Sequence, residues 1–349
     1  QLEEIRRAFV THHVLAFQRE DAEMTLQRPT VTYQDHWKTE GYDTIDVRPV
    51  TPVVGAEVHG VDLSKPLEPK QLEEIRRAFV THHVLAFHDQ SIGRDAHKAF
   101  ASHFGELHVH PLKHDRMKTT HKDNPFAEGE GKSDHPLMQG DTGGESDPAI
   151  LEIKTTQNSK YTAGGAWHAD VTCDERPPMG SMLLIKQVPD VGCGGDTCFA
   201  NMYRAFDTLS EPMKEFLRPL TAVHDGAIPY VGAYNTVPPE GGYPRNEHPV
   251  VVRHPDTGRE VLYVNPGFTS HIKGLSRYES QHILEMLYRH VEKRLDLQVR
   301  MSYRPNTLMF WDNRCLQHQA SWDYWPYSRY GERVSIIGHR PTRDIAAAA

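Results

Sequence analysis

Trp167-His168-Ala169-Asp170-Val171-Thr172, answered far downstream by Trp311-Asp312-Asn313-Arg314-Cys315-Leu316-Gln317-His318, is the pair of stretches on which the fold turns. In extended chain, residues two apart point to the same side, so His168 and Asp170 can face one point in space from a single strand end. A third donor must then arrive from elsewhere. His318 follows an apolar run, Thr307-Leu308-Met309-Phe310-Trp311, which reads as a buried strand leading into a polar turn. Two imidazoles and one carboxylate make a three-ligand face suited to Fe(II), with the opposite face open to a co-substrate and oxygen. The His-x-Asp pair alone is a weak signal in a chain with 23 histidines, where the bland reading is a surface His beside an Asp.

The neighbouring residues outweigh that bland reading. Trp167 to Thr172, Gly194-Gly195-Asp196-Thr197, Leu262-Tyr263-Val264-Asn265 with Gly267-Phe268-Thr269, Trp311-Asp312-Asn313-Arg314, Gln317-His318, Arg329 and Arg333 follow one another in an order and spacing that resembles the taurine dioxygenase family of Fe(II)/2-oxoglutarate-dependent oxygenases. Alkylsulfatases and aryloxyalkanoate dioxygenases belong to the same group. The resemblance runs from about Asp46 to Arg340. It implies a mainly β protein with flanking helices around a double-stranded β-helix (jelly-roll) core. It also implies Fe(II) held by His168, Asp170 and His318, with 2-oxoglutarate and O2 as co-substrates. Oxidative decarboxylation to succinate and CO2 would then be coupled to hydroxylation of an unactivated C–H bond. Asp170 keeps its carboxylate where related halogenases lack it, which disfavours halogenation.

Arg329 and Arg333 lie eleven and fifteen residues beyond His318, four apart. Arg333-Val334-Ser335-Ile336-Ile337-Gly338 is apolar and β-branched and reads as a strand, so both arginines share one face. Guanidinium suits a buried carboxylate because its fork grips both oxygens and never loses charge. The bland alternative is a pair of surface ion pairs. By resemblance, Arg329 takes the distal carboxylate of 2-oxoglutarate with help from the Thr197 hydroxyl. Arg333 sits nearer the iron on the 2-oxoglutarate side and helps hold an anionic prime substrate. His110 and the backbone N–H of Val171 would contact the same anion, with Phe268 against the substrate chain. A structural His110, a core Phe268 and a rival His108-x-His110 metal pair all stay open at this stage. The likeness fails at two places. Lys113 stands where taurine enzymes carry Tyr, and Gly164 where they carry Asn, which argues against taurine itself.

The expected function is therefore hydroxylation of a small anionic organic molecule, first a sulfonate or alkyl sulfate ester, second an aryloxyalkanoate or other carboxylate. A reading of a different class, a non-catalytic metal- or ligand-binding β barrel, also stands. Net charge of −8 gives no attraction to nucleic acid or to anionic membranes. No run of apolar residues reaches membrane-spanning length, and no leader is expected at the start. Cys173, Cys193, Cys198 and Cys315 read as free thiols in a reducing cytoplasm. The resemblance implies a homodimer or homotetramer.

Residues 1–17 repeat 71–87 letter for letter. Natural repeats diverge and come in more than two copies, so 1–23 is set aside as an extension foreign to the fold. A single domain over 24–345 remains, with a lid-like insertion at about 113–165. Strands are expected within 46–63, at 84–87, 149–153, 180–186 and 197–200, and around 297, 308 and 334. A hairpin is expected over 248–264 with its turn at Asp256-Thr257-Gly258. Helices are expected over 66–78, 95–104 and 202–217. Another is expected over 277–294, with Ile283, Leu284, Leu287 and Val291 on one face.

Overall fold

Alternation along three strands decides which way the central sheet faces. The chain runs β1 (Asp46–Pro49), β2 (Ala56–His59), α1 (Pro69–His82), β3 (Val84–Phe87), α2 (Arg94–Ser102), β4 (Leu107–His108), β5 (Leu151–Thr155), β6 (Pro178–Gln187) and β7 (Thr197–Asn201). It continues through α3 (Met202–Asp207), α4 (Glu211–Leu217), β8 (Thr221–Asp225), α5 (Ala227–Gly232), β9 (Arg245–Pro249), β10 (Val251–Arg253), β11 (Glu260–Leu262) and β12 (Thr269–Ile272). It closes with α6 (Arg277–Glu292), β13 (Gln298–Met301), β14 (Thr307–Asp312), β15 (Leu316–Ala320) and β16 (Arg329–Ile337). This computed structural model describes residues 41–111, 147–159, 162–190, 192–232, 238 and 241–344. The duplicated 1–17, the rest of the 1–23 extension, and positions 113–146 and 160–161 of the expected insertion lie outside the described residues.

The large sheet has eight strands in the order β1-β2-β3-β14-β6-β16-β4, with β5 also paired to β16. All its pairings are antiparallel except β2 with β3. Met182, Leu184, Leu308, Phe310, Val334 and Ile336 face one side, where they pack with Ile75, Ala78 and Phe79 of α1 and Phe100 and Ala101 of α2. The intervening Leu183, Ile185, Met309 and Trp311 face the other side, meeting Phe199, Ala200, Val299, Met301 and Leu316 of the β13-β7-β15 sheet. In β16, Arg329 to Arg333 pair with Thr155 to Leu151 of β5, and Arg333 also pairs with Leu183 of β6. That register turns Arg329, Gly331, Arg333 and Ser335 inward between the sheets and leaves Glu332 on the helix side, where Arg94 of α2 and Lys186 pair with it. This is the jelly roll expected from the resemblance.

Local signals formed local structure. α6 carries a full capping box between Ser276 and Glu279 and buries Leu284, Leu287 and Val291, while Ile283 packs partly buried at the core's edge. The hairpin over 248–264 forms between β10 and β11, but β9 leaves it to pair with β8 in a third sheet. His318, beyond the polar turn that follows β14, lies in β15.

Candidate metal centre and anion pocket

His168 and His318 face each other across a two-residue antiparallel bridge. His168 N donates to His318 O (3.0 Å) and His318 N to His168 O (2.7 Å). Their rings stand 4.2 Å apart between centroids, tilted by 42°. Asp170, two residues on, turns the same way, so its Oδ1 lies 3.9 Å from Nε2 of each imidazole. One donor atom from each of the three lies within 4.8 Å of the others.

The residues fit an iron centre by chemistry as well as by position. His168 Nδ1 lies 2.8 Å from the Ala166 carbonyl, which places the proton on Nδ1 and leaves the Nε2 lone pair facing the site. Burial lowers the proton affinity of both imidazoles, His318 most strongly, which keeps them neutral and able to ligate. Burial alone would raise the Asp170 carboxyl. The Arg333 guanidinium first, then the two neighbouring imidazoles and the Ser181 hydroxyl, more than offset it and hold the carboxyl well below the usual carboxylate range.

Asp170 is gripped from behind. Ser181 Oγ donates to its Oδ2 (2.7 Å) and lies 2.9 Å from Ser335 Oγ. Asn313 binds both ends of the residue: its Nδ2 donates to Asp170 Oδ2 (3.3 Å), and its Oδ1 accepts from Asp170 N (3.2 Å). Trp311 Nε1 also donates to Asn313 Oδ1 (3.0 Å). Ligand-orienting partners of this kind fix rotamer and charge at a metal site. Two glycines give His168 its room. A Cβ on Gly267 would come to 2.7 Å from His168 Cβ, and one on Gly164 (φ +74°) to 3.0 Å from His168 Cε1. Gly164, where the resemblance expects Asn, thus lies directly against the His168 ring.

Every candidate residue of the sequence reading that is described comes to one cavity. His110, His168, Asp170, Val171, Thr197, Phe268, His318, Arg329 and Arg333 all line it. Arg329 is 4 % exposed. Its Nε donates to Gly195 O (3.0 Å) and its guanidinium carbon lies 5.0 Å from the Tyr303 ring, while Nη2 is buried without a partner among the described residues. Thr197 Oγ1 lies 3.1 Å from Tyr303 Oη. Arg333 Nη1 donates to Asp170 Oδ1 (2.6 Å) and its Nε is likewise unmatched. Buried guanidinium nitrogens without acceptors are costly unless an anion completes them. Val171, a β-branched residue, adopts φ +46°, a strained conformation of the kind found at functional sites.

The rival pair separates. His110 lines the cavity, but His108 Nε2 lies 3.1 Å from Asp174 Oδ2 and belongs to neither metal-like cluster among the described residues. The second such cluster, His254, Asp312 and Cys315, is a buried structural network. Asp312 accepts from Arg314 Nε (2.8 Å) and Nη2 (2.6 Å) and lies 3.0 Å from His254 Nε2, so its oxygens are taken. Burial pushes the Cys315 thiol up, away from the thiolate a metal needs. Lys113 lies outside the described residues. Sequence reasoning missed Ser181, Asn313 and Tyr230. Only Asn313 carried a signal, its place inside the Trp311-Asp312-Asn313-Arg314 motif.

Residues 46–335 match the family described as "Taurine catabolism dioxygenase TauD, TfdA family", and the chain belongs to that family. It is a 2-oxoglutarate-dependent dioxygenase that uses Fe(II) and O2. Among its relatives is an alpha-ketoglutarate-dependent sulfate ester dioxygenase from Pseudomonas putida, 31 % identical over 85 % of this chain and 91 % of the relative. Another is an alpha-ketoglutarate-dependent sulfonate dioxygenase from Saccharomyces cerevisiae, 29 % identical over 88 % of this chain and 70 % of that one. A crystal structure of a taurine dioxygenase from Burkholderia xenovorans superposes with a TM-score of 0.66 at 30 % identity, covering 86 % of this chain and 91 % of the other.

Proposed function

We propose that the chain hydroxylates a small organic sulfate ester or sulfonate at the carbon bearing the sulfur group. The hydroxylated ester then collapses to a carbonyl product and sulfate, or to sulfite from a sulfonate, while 2-oxoglutarate becomes succinate and CO2. The observation that carries this reading is a pair of buried guanidiniums in the triad's own cavity, each with an unmatched nitrogen. Arg329 suits the distal carboxylate of 2-oxoglutarate, and Arg333, ion-paired to Asp170 through Nη1, keeps Nε for a second anion beside the triad.

In this reading His168, Asp170 and His318 hold Fe(II), which supplies oxygen activation when bound. Arg329, with Thr197 beside it, takes the distal carboxylate of 2-oxoglutarate. Arg333, His110 and the Val171 N–H orient the sulfur anion, and Phe268 packs on its carbon chain. Asn313 and Ser181 hold Asp170 anionic and in register. The named activities of the Pseudomonas and Saccharomyces relatives support the sulfur class. The four cysteines are unpaired, which supports a location in the reducing cytoplasm; cell fractionation tests that, and light scattering tests a homo-oligomer. Among the described residues no helix is long and apolar enough to cross a membrane.

The test is succinate formation from 2-oxoglutarate with Fe(II) and O2 across alkyl sulfates, sulfonates and aryloxyalkanoates. Stimulation by the sulfur anions with release of sulfate or sulfite is the expected result. Stimulation by aryloxyalkanoates alone would overturn the sulfur assignment and favour the carboxylate reading.

A further inference from the structure

Opposite the ligands, the cavity wall turns apolar. Val171, Cys173, Tyr230 and Phe268 form a small buried cluster of their own, with Tyr243 against it. Tyr230 is 1 % exposed and lines the same cavity as the triad. Its ring meets His110 edge-on at 6.3 Å and Phe268 edge-on at 6.5 Å, and stacks on Tyr243 at 6.0 Å. The ring is seated on a glycine. A Cβ at Gly226 would lie 3.0 Å from both Cδ2 and Cε2 of Tyr230 and 3.1 Å from Pro244 O. Backbone bonds fix that seat: Tyr230 N donates to Gly226 O (3.0 Å), Gly226 N to Pro244 O (2.9 Å) and Asp225 N to Phe268 O (2.8 Å). Tyr230 and Phe268 are therefore held on one framework, and the missing side chain at Gly226 determines how far the tyrosine ring stands back from the cavity.

Resting on the reading of a prime substrate with an anionic head, we propose that the Gly226–Tyr230 pair is the device that sets how long an apolar chain the enzyme accepts behind that head. Among the described lining residues Asp170 is the only acid, and it is committed to the metal centre. A substrate with a cationic group at its far end would bury that charge against Tyr230 and Phe268, where no described lining residue other than Asp170 offers a counter-ion, at high cost. A methylene chain gains there, about fourfold per buried CH2. Shaving Tyr230 extends the apolar slot toward Gly226. Adding a methyl at Gly226 pushes the ring forward into the cavity and shortens it.

The experiment compares kcat/KM for graded linear alkyl sulfates, alkyl sulfonates and alkyl carboxylates, with taurine included, in wild type, Tyr230→Ala, Tyr230→Leu, Tyr230→Phe and Gly226→Ala. An unaltered anaerobic Fe(II)–2-oxoglutarate absorption band certifies that each variant is folded. Tyr230→Ala and Tyr230→Leu move the preferred chain toward longer members, raising the long-to-short ratio by at least about tenfold, the worth of some two methylenes. Gly226→Ala moves it toward shorter members, and Tyr230→Phe keeps the wild-type profile. Taurine is turned over less well than its apolar counterpart of equal length. An unchanged length profile in both Tyr230→Leu and Gly226→Ala would overturn the proposal, as would a preference for taurine. If only carboxylates turn over, the sulfur assignment falls, and the same length shifts, read on the carboxylate series, decide the proposal.

Discussion

Replacing Asp312 by Asn should remove much of the molecule's stability although no atom of the cavity changes. Asp312 ends β14 with no solvent exposure. It accepts from Arg314 N (2.9 Å), Nε (2.8 Å) and Nη2 (2.6 Å) and lies 3.0 Å from His254 Nε2. Arg314 keeps one other carboxylate, the half-exposed Asp256 at 2.9 Å. An Asn leaves a buried guanidinium without its main counter-charge and turns one acceptor into a donor facing donors. Breaking a buried pair in this way costs about 3–5 kcal/mol. With a urea m-value of about 3 kcal/mol/M, the midpoint should fall by roughly 1–1.7 M.

The pH dependence gives a second handle. Burial would raise this carboxyl, but Arg314 and His254 more than offset it and hold it far below the usual range. A depressed folded pKa means the stabilisation is fully present above the unfolded value, about 3.9, and is lost only as pH falls through the folded one. The difference between wild type and variant should therefore be flat from pH 8 to 6 and close only in strong acid. Urea titrations at several pH values measure it. A difference below about 1 kcal/mol would refute the reasoning. So would one that closes between pH 8 and 6, which would place the interaction on His254 protonation.

Further outcomes follow from the site. Arg329→Ala should raise the KM for 2-oxoglutarate roughly 10- to 150-fold, the loss of a charge-assisted hydrogen bond, with iron affinity unchanged in an anaerobic titration. Arg333→Ala should instead act mainly on the prime substrate; equal effects of both changes on both ligands would end that division of labour. Ser181→Ala removes the 2.7 Å hydroxyl contact to Asp170 and should weaken Fe(II) binding by about 10- to 100-fold, read by anaerobic titration of the folded variant. Gly267→Ala places a methyl 2.7 Å from His168 Cβ, so it should cost at least about tenfold in Fe(II) affinity in a folded protein.

What the sequence disclosed and what it hid divide along a physical line. α6 was legible because both its signals are local: an apolar stripe at helical spacing, and Ser276 three residues before Glu279, a capping pattern that was there to be read. The inward face shared by Arg329 and Arg333 was legible because strand period is two, and β16 keeps it. The metal-like triad was legible from residue type and order. The partners that hold Asp170 were not. Ser181 and Asn313 reach it across 11 and 143 residues; a serine in a strand has no pattern of its own, and the motif around Asn313 does not say which group that side chain holds. Tyr230 was hidden for another reason. Its importance lies in its seat on Gly226, and that depends on where Pro244 and Phe268 return to the same place. The exit of β9 into a third sheet was equally unreadable, since the run from His248 to His254 reads as one continuous, largely apolar strand and only tertiary pairing splits it.

The central claim is that His168, Asp170 and His318 form one iron site whose open face is chelated by 2-oxoglutarate. Its most direct test is an anaerobic titration of the protein with Fe(II) and then 2-oxoglutarate, followed by visible absorption, in wild type, His168→Ala and His318→Ala. The account predicts a weak metal-to-ligand band in wild type that saturates with 2-oxoglutarate and is lost in both variants while their fold persists. A band of undiminished strength in either variant would contradict it, because the metal would then be held elsewhere.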